Sequence, residues 1–562
     1  MANTNRRLHQ QREPTWRKFG NALGSLLSAA AVPGVVTACR TGMRITDIGF
    51  LGNFHAPAQA QSTQFFYSAL PFQNMTSPSS SSSSSSVSAA TFSTKHLAAA
   101  GFTGTWFEIL WFFLVNGCVS ALKEIGSTAH KAQNYRLLSD LLVIALTIST
   151  MIVAVVGVPL MYYSANMLSW IMEYDQSMLA LVQPFSRITM IGWFPYVWNN
   201  ILTIWLAIFS KVDGRMQVYL MMGCFGLNYF LNYLFIYGVD MIGISGIGYL
   251  GSAFATSLSR WVEFFGTYWL VRRAWHRHQS TAAASAAVVA AAAAAETAAI
   301  ISFAADSFRL PLLATTSREQ YFRWSVQKSH QTEQSREFVK HALIATVNGI
   351  FEDGQLTLIA VLAGRFGVVS AAAHQSMYNV FFSLASTVAV VASVTNVKIS
   401  ALLTEDDVDA ARFAWLVSLA VILPTAATIS VLLYILRDYV AFVFSTDEEV
   451  VSIIKRITLI VGCAFFSLGS FQILSSALIA QRRKIATLSS IIFGHWIACI
   501  PLAILFRSDH LLKEYDDLFG LWLAVTIGYS ITMVFAALLL LKTNWKEYGN
   551  GGTTKERPSM DF

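Results

Sequence analysis

Charged residues are scarce in this chain. Asp, Glu, Lys and Arg make up 13% of its 562 residues, whereas hydrophobic residues make up 54%. A soluble globular domain carries about 25% charged residues, so the composition excludes an ordinary soluble protein. The net charge of +7 does not indicate a nucleic-acid partner. Lys and Arg cluster at the ends of hydrophobic segments, where they orient membrane helices.

Sequence patterns of enzymes and metal centres are also missing. The chain has no Walker loop, no HExxH, no GxSxG and no cluster with metal-ligand spacing. Its five cysteines form no CxxC pair and lie in or beside hydrophobic stretches, as small buried residues do. We therefore predict a protein that is not an enzyme, with no cofactor and no resident metal.

Long hydrophobic segments dominate the chain. About 20 apolar residues are enough to cross a bilayer. We predict an all-α integral membrane protein with twelve spans: 19–52, 96–122, 137–163, 178–209, 215–238, 244–271, 338–364, 368–397, 411–436, 451–480, 485–506 and 518–541. Six spans, a long break and six further spans are typical of transporters that bind their substrate between two halves.

The remaining segments complete the domain organisation. We predict an N-terminal tail (1–18), an N-lobe (19–272), an alanine-rich linker (273–336), a C-lobe (337–541) and a C-terminal tail (542–562). Residues 281–305 are not counted as a span, because alanine gains little from hydrocarbon and Glu296 interrupts them; they favour a helix. A serine-rich insertion (54–94) is predicted to be disordered, and it contains Asn74, the candidate glycosylation site.

The distribution of Lys and Arg sets the expected orientation. With the N-terminus in the cytosol, 27 of these residues lie on the cytosolic side of the twelve spans and 7 on the other side. Such a bias favours cytosolic N- and C-termini and places the insertion outside the cytosol. The pattern does not distinguish the plasma membrane from the vacuolar membrane.

Span 1 carries three ionisable residues on one face. At about 100° per residue, Pro33, Arg40, Arg44 and Asp47 fall within an arc of roughly 60°. Charge at bilayer depth is costly and normally faces a bundle interior or a wet cavity. Two interpretations remain open: a self-neutralising Arg44–Asp47 pair at i, i+3, or a transport site.

Short motifs follow one another along both halves. They include T-D-I-G-F-L-G (46–52), L-A-A-A-G-F (97–102), S-A-L-K-E-I-G (120–126), L-N-Y-F-L-N-Y (227–233), G-S-A-F-A-T-S-L-S (251–259), F-E-D (351–353) and K-T-N-W-K-E (542–547). Their order over residues 20–550 resembles the multidrug and toxin extrusion (MATE) family, eukaryotic type.

The resemblance implies a fold and a function. The fold would have two six-helix lobes related by a pseudo-twofold axis. The function would be alternating-access export of small organic compounds (xenobiotics, metabolites or organic ions) by a monomer in the bilayer, coupled to H⁺ or Na⁺. The N-lobe coupling site implied by the family is Asp47 with Asn228 and Asn232, which also offer oxygen ligands for Na⁺.

The C-lobe site implied by the family centres on Glu352. Asn348, Glu352 and Gln355 fall within about 60° on span 7, so amide groups flank this carboxylate, and we expect it to load and release a proton. Asp353 points about 100° away from Glu352. Two roles remain open for it: contact with a neighbouring helix, or service as a second coupling acid.

Several positions depart from the family pattern. Thr357, Gly469 and Lys123 stand where family members carry acids, and Arg40 and Arg44 add positive charge. We therefore expect Arg40, Arg44 and Lys123 to line a positive cavity that favours anionic substrates. Within span 6, Arg260 and Glu263 are spaced to pair at i, i+3.

Two other functions remain open. A lipid-linked sugar flippase of the related superfamily shares the six-plus-six architecture and would have a strongly cationic cavity. A non-transporting member of the fold is compatible with the missing acids. The paired asparagines, Glu352 and the tail motif favour the exporter.

Overall fold

The computed structural model describes residues 15–53, 89–171, 176–209, 214–239, 244–303, 328–506 and 517–548. Helices make up almost all of these residues. The exception is a two-residue antiparallel ladder, in which β1 (Gly238–Val239) pairs with β2 (Ile244–Ser245). This small hairpin joins spans 5 and 6.

The first half contains six helical spans, of which spans 2, 3 and 4 are interrupted and span 6 is extended. Their helices are Thr15–Gly52 (span 1), Ala89–Leu114 and Asn116–Lys131 (span 2), Tyr135–Ile152 and Val158–Tyr162 joined by the π-turn Val153–Gly157 (span 3), Gln176–Ile191 and Trp193–Phe209 (span 4), Gly214–Tyr237 (span 5) and Leu250–Phe303 (span 6). The short helix Ser164–Ile171 links spans 3 and 4.

The second half repeats this layout. Its helices are Lys328–Gly364 (span 7), Val368–Thr404 (span 8), Val408–Ile435 (span 9), Glu448–Ala480 (span 10), Lys484–Ile491, the π-helix Ile492–Cys499 and Ile500–Phe506 (span 11) and Asp517–Leu541 (span 12). The short helix Arg437–Phe444 precedes span 10, and a 3-10 turn, Trp545–Tyr548, follows span 12.

The twelve predicted spans correspond to these helical segments. Within the described residues, eight helices are long and apolar enough to cross a membrane, or nine if the two halves of span 2, bent by 45°, count as one. Span 4 is broken at Gly192, where an added Cβ would lie 2.8 Å from the Cα of Ser257. The all-α membrane fold is therefore confirmed.

Two turns at equivalent places in the halves share one construction. Between spans 2 and 3, Gln133 has a positive φ and the Asn134 side chain caps the next helix by accepting from Leu137 N at 3.0 Å. Between spans 8 and 9, Asp406 has a positive φ and Asp407 accepts from Ala410 N at 3.1 Å. An Asx side chain satisfies an orphan N–H at the helix start in both turns, so the sequence repeat is local as well as global.

Two helices extend well beyond the predicted limits of their spans. Span 2 begins at Ala89, within the segment 54–94 that we expected to be disordered. Ser93 is buried there, and its hydroxyl donates to the carbonyls of Leu51 and Gly52 at 3.1 and 2.8 Å, which ties this extension to the end of span 1. Span 6 continues as one helix to Phe303, through most of the alanine-rich stretch. Asn74 lies outside the described residues.

The two lobes meet mainly along spans 1 and 2 of the N-lobe and spans 7 and 8 of the C-lobe. At one end of the bundle, Asn53 Nδ2 donates to Val443 O at 2.7 Å, and Thr94 donates to the Asp447 carboxylate at 2.5 Å. At the other end, Lys484 and Glu124 form an ion pair at 3.3 Å. The lobes therefore contact each other at both ends of the bundle.

Candidate functional site

Asp47 lies at the centre of a cluster of neutral donors. Its Oδ1 accepts from Asn232 Nδ2 at 2.7 Å and from Asn228 Nδ2 at 3.2 Å. Its Oδ2 accepts from the Thr256 hydroxyl at 2.7 Å. The described residues give Asp47 no ion-pair partner. The predicted N-lobe triad is thus brought together, and the Arg44–Asp47 pair is not formed.

The asparagine pair is placed by helix periodicity. Asn228 and Asn232 lie one turn apart on span 5, and both are fully buried. Asn232 Nδ2 also donates to Asn228 O at 3.0 Å, whereas the Asn232 Oδ1 atom is buried without a partner. An unsatisfied buried oxygen is costly, so Asn232 keeps an acceptor that no described residue uses.

Thr256 was missed as a site residue. It belongs to the motif at residues 251–259, but the motif alone indicates no role for this threonine. Its hydroxyl accepts nothing from the cluster; it donates to Asp47 and also lies 2.9 Å from Ser252 O within span 6. Thr256 lies four residues before Arg260 and therefore on the same face of span 6. This shared face with an intramembrane charge was the sequence feature that could have indicated it.

Arg44 forms an ion pair with Glu108 of span 2 rather than with Asp47. The other Glu108 oxygen accepts from the Tyr378 hydroxyl of span 8 at 2.6 Å. The Arg44 guanidinium also lies 5.3 Å from the ring centroid of Phe382, on the same C-lobe helix. A buried ion pair of the N-lobe is thereby attached to the C-lobe. Glu108, the acid inside the first half of span 2, was missed.

Arg40 is also neutralised across the bundle. Its guanidinium forms an ion pair with Glu263 at 2.9 Å and donates to Asn200 Oδ1 and Thr203 Oγ1, each at 3.2 Å. Glu263 is buried and accepts in addition from Asn199. The expected Arg260–Glu263 pair is therefore wrong, because Glu263 is engaged by Arg40.

Arg260 is the remaining cation of this region. Its guanidinium lies 4.6 Å from the centroid of the Phe107 ring and 4.8 Å from that of Tyr196. Its Nη1 is buried and has no hydrogen-bond partner. Arg260 interacts electrostatically with Asp47 without contacting it as an ion pair. Aromatic faces therefore hold a guanidinium whose donors are not used by any described residue.

These groups surround a cavity of about 240 Å³. Arg40, Arg44 and Asp47 line it together, as their shared face on span 1 predicted. Spans 2, 4, 5 and 6 supply the other N-lobe walls, and span 8 closes it from the C-lobe; its charged lining is Arg40, Arg44, Arg260, Asp47, Glu108 and Glu263. Three cations face three acids, so the lining of this cavity does not carry the excess of positive charge that the sequence suggested.

Lys123 does not belong to this cavity. It lies on the second helix of span 2, beyond the bend at Val115, and its side chain is exposed. It is not among the residues that line the charged cavity. The expectation that Lys123 lines the cavity is therefore corrected.

The acids of span 7 are arranged differently from the prediction. Gln355 is fully buried and donates to Cys499 Sγ at 3.0 Å, whereas Asn348 and Glu352 are exposed. Asp353 is half-buried and close enough to Glu108 and Glu352 to interact electrostatically with both. Within the described part of span 7, Asp353 rather than Glu352 interacts electrostatically with Glu108 of the charged cavity, and neither acid lines the cavity itself.

A comparison with protein-family models places both lobes in one family. The MatE model matches residues 72–234 and 346–505, one range in each half. Among curated proteins, the chain is 22% identical over 463 residues to the multidrug resistance protein MdtK of Yersinia pseudotuberculosis (strain IP 31758). That alignment covers 81% of this chain and 88% of MdtK.

Solved structures show the same fold. The eukaryotic MATE transporter AtDTX14 aligns with a TM-score of 0.62 and 15% identity, over 94% of this chain and 98% of AtDTX14. An inward-facing multidrug resistance MATE family transporter of the MOP superfamily aligns with a TM-score of 0.58 and 16% identity, over 81% of this chain and 90% of that one. The likeness extends through both lobes.

Proposed function

Because this chain belongs to the MatE family of membrane transporters and is not an enzyme, we propose that it is a secondary active antiporter. It exports small organic compounds by alternating access, coupled to proton entry. One observation carries the proposal: Asp47 sits on the cavity wall, holds both oxygens towards neutral donors and has no cation in contact with it. Such a carboxylate can exchange a proton without breaking a salt bridge.

The donor arrangement favours H⁺ over Na⁺ as the coupling ion. Sodium binds through several oxygen atoms, but Asn228 and Asn232 both present their amide nitrogens to Asp47. A sodium ion at this position would require both amides to turn. A proton requires no such rearrangement, because it binds the carboxylate itself.

Asp353 and Glu352 form the second candidate coupling site. When two neighbouring acids interact, ionisation of one makes ionisation of the other more costly, so we expect the pair to bind protons one after the other. Asp353 also interacts electrostatically with Glu108, which accepts a hydrogen bond from Tyr378 across the lobe interface. Proton binding in the C-lobe would thus reach the contact between the lobes.

We further propose the orientation and setting of the transporter. The excess of Lys and Arg on one side of the spans supports cytosolic N- and C-termini. Export would then proceed across the plasma membrane or into the vacuole. The arrangement of both lobes in one chain supports action as a monomer.

The decisive experiment is transport by the purified chain in proteoliposomes. A pH gradient and a Na⁺ gradient are imposed separately, and movement of a cationic dye and of 2-naphthoate is followed. We expect transport that depends on the pH gradient in the wild type, loss in Asp47→Asn and retention in Asp47→Glu, which keeps the carboxylate.

Lys123→Gln is the matched control, because this exposed charge lies outside the cavity. The proposal of proton coupling fails if Asp47→Asn transports at the wild-type rate under the same pH gradient. Dependence on the Na⁺ gradient alone would replace H⁺ by Na⁺. Absence of both dependences would argue against antiport.

A further inference from the structure

The charged groups of the 240 Å³ cavity differ in how far their hydrogen-bonding capacity is already used. Arg40 and Arg44 are engaged by Glu263 and Glu108. Asp47 receives three hydrogen bonds from neutral donors. Of the three cavity cations, one has no described carboxylate in contact, and that guanidinium keeps the most hydrogen-bonding capacity for a ligand.

That group is Arg260. A guanidinium has five N–H donors in a planar fork that matches a carboxylate. Arg260 donates none of them to a described residue, and its Nη1 is enclosed without a partner. Because Nη1 is enclosed, a ligand oxygen in the cavity would approach the other N–H groups of Arg260, whose side chain lines the cavity wall. The rings of Phe107 and Tyr196 hold the guanidinium in place meanwhile.

The walls around Arg260 suit a flat apolar body. Trp111, Tyr196 and Phe382 line the cavity, and Phe382 is contributed by the C-lobe. Aromatic rings pack well against one another in offset or edge-to-face arrangements. A ligand with one carboxylate and a small aromatic ring system would satisfy the Arg260 fork and pack against these side chains.

We propose that Arg260 is the anion-binding residue of the cavity and that the cavity takes small aromatic carboxylates. This inference rests on the proposed export function and names its substrate class. It replaces the sequence-based hypothesis that Arg40, Arg44 and Lys123 supply the positive charge. Arg260 is the cation available to an anion, because it forms no ion pair with a described acid, whereas Arg40 and Arg44 do.

The test measures binding to the full-length purified chain in detergent by calorimetry. Three probes share one ring system: 2-naphthoate, neutral 2-naphthamide and cationic 2-naphthylmethylammonium. We expect the wild type to bind 2-naphthoate about tenfold or more tightly than the amide, because charge-assisted bonds to the guanidinium are lost in the amide. The Arg260→Gln variant should lose that preference while binding the amide unchanged.

Arg260→Lys keeps the charge without the fork and should recover part of the preference. Lys123→Gln, which removes an exposed charge outside the cavity, should bind all three probes as the wild type does. Thermal unfolding of each variant shows whether it is folded. If Arg260→Gln does not fold, the ranking of probes by the wild type and by Arg260→Lys decides.

Equal binding of the three probes, or tightest binding of the ammonium compound, would overturn the assignment. So would an Arg260→Gln variant whose affinity for 2-naphthoate stays within about twofold of the wild type, well below the effect of a charge-assisted bond. If any of these results is obtained while the cationic dye is still transported in response to a gradient, the proposed export function stands and only the anion site is refuted. If binding depends on Arg260 but no probe is transported in response to a gradient, the assignment of the anion site stands and the antiporter proposal is refuted.

Discussion

The hydrogen bond from Tyr378 to Glu108 gives the sharpest test of how the lobes are held together. Its hydroxyl, on span 8, lies 2.6 Å from a Glu108 oxygen on span 2, and Glu108 is also paired with Arg44. Tyr378→Phe removes one oxygen and leaves the ring, the ion pair and the helix in place. The variant therefore isolates a single bond between the N-lobe and the C-lobe.

The size of the effect follows from the charge on Glu108. A hydrogen bond to a charged group contributes about 1.5–3 kcal/mol. We consider two arrangements of the lobes, one with Glu108 and Tyr378 in contact and one with them apart. If the bond exists only in the first, its loss shifts the equilibrium between the two by about 10- to 150-fold towards the second. Glu108→Gln would be less informative, because it also leaves the Arg44 charge without its partner.

The assay is electron paramagnetic resonance between spin labels on the two lobes. Thr128 and Ile485 are exposed at the end of the bundle where Glu124 and Lys484 pair. Labels are attached there in a background whose five native cysteines are replaced. We expect Tyr378→Phe to change the populations of short and long label distances, with no loss of thermal stability within each lobe.

Tyr439→Phe provides the control, because Tyr439 is 74% exposed and lies on the short helix before span 10. Its distance distribution should match that of the parent. A Tyr378→Phe distribution that superposes on the parent would refute the reasoning, since the bond would then contribute equally to both arrangements of the lobes.

Two further substitutions test the packing around the site. Glu263→Gln removes the acid that pairs with Arg40. A largely enclosed cation is then left unpaired, so the unfolding temperature in detergent should fall. An unchanged unfolding temperature would mean that water solvates the Arg40 charge well enough to replace the ion pair. Gly494→Ala would place a Cβ 1.9 Å from Thr532 Oγ1, so it should destabilise the C-lobe, whereas Gly223→Ala, with no atom within 4 Å of the new Cβ, should leave the unfolding temperature unchanged or raise it.

The sequence predicted the helices well because their signal is local. Long apolar segments separated by polar turns follow from the thickness of the bilayer alone. The start of span 2 was missed because Ser93 and Thr94 are polar, and their place in a helix depends on acceptors more than 40 residues or 350 residues away in the chain. Hydropathy contains no information about such partners.

The charged pairs were the least predictable part of the site. Spacing of three or four residues suggested Arg44 with Asp47 and Arg260 with Glu263, but both acids found other partners. Glu263 meets Arg40 from 223 residues away, and Glu108 meets Arg44 from 64 residues away. When several helices enclose a cavity, pairing is decided by which helix faces which, and that is a tertiary property.

The length of span 6 has a mechanical consequence. The helix Leu250–Phe303 has 54 residues, which corresponds to about 81 Å at 1.5 Å per residue. Only about 30 Å of this lies in hydrocarbon, so about 50 Å extends beyond the membrane as a rod fixed to the N-lobe. If the N-lobe turned by about 15° as a rigid body, the free end of a straight rod would sweep about 13 Å. A fluorophore there would act as a pointer that magnifies small rearrangements inside the bilayer.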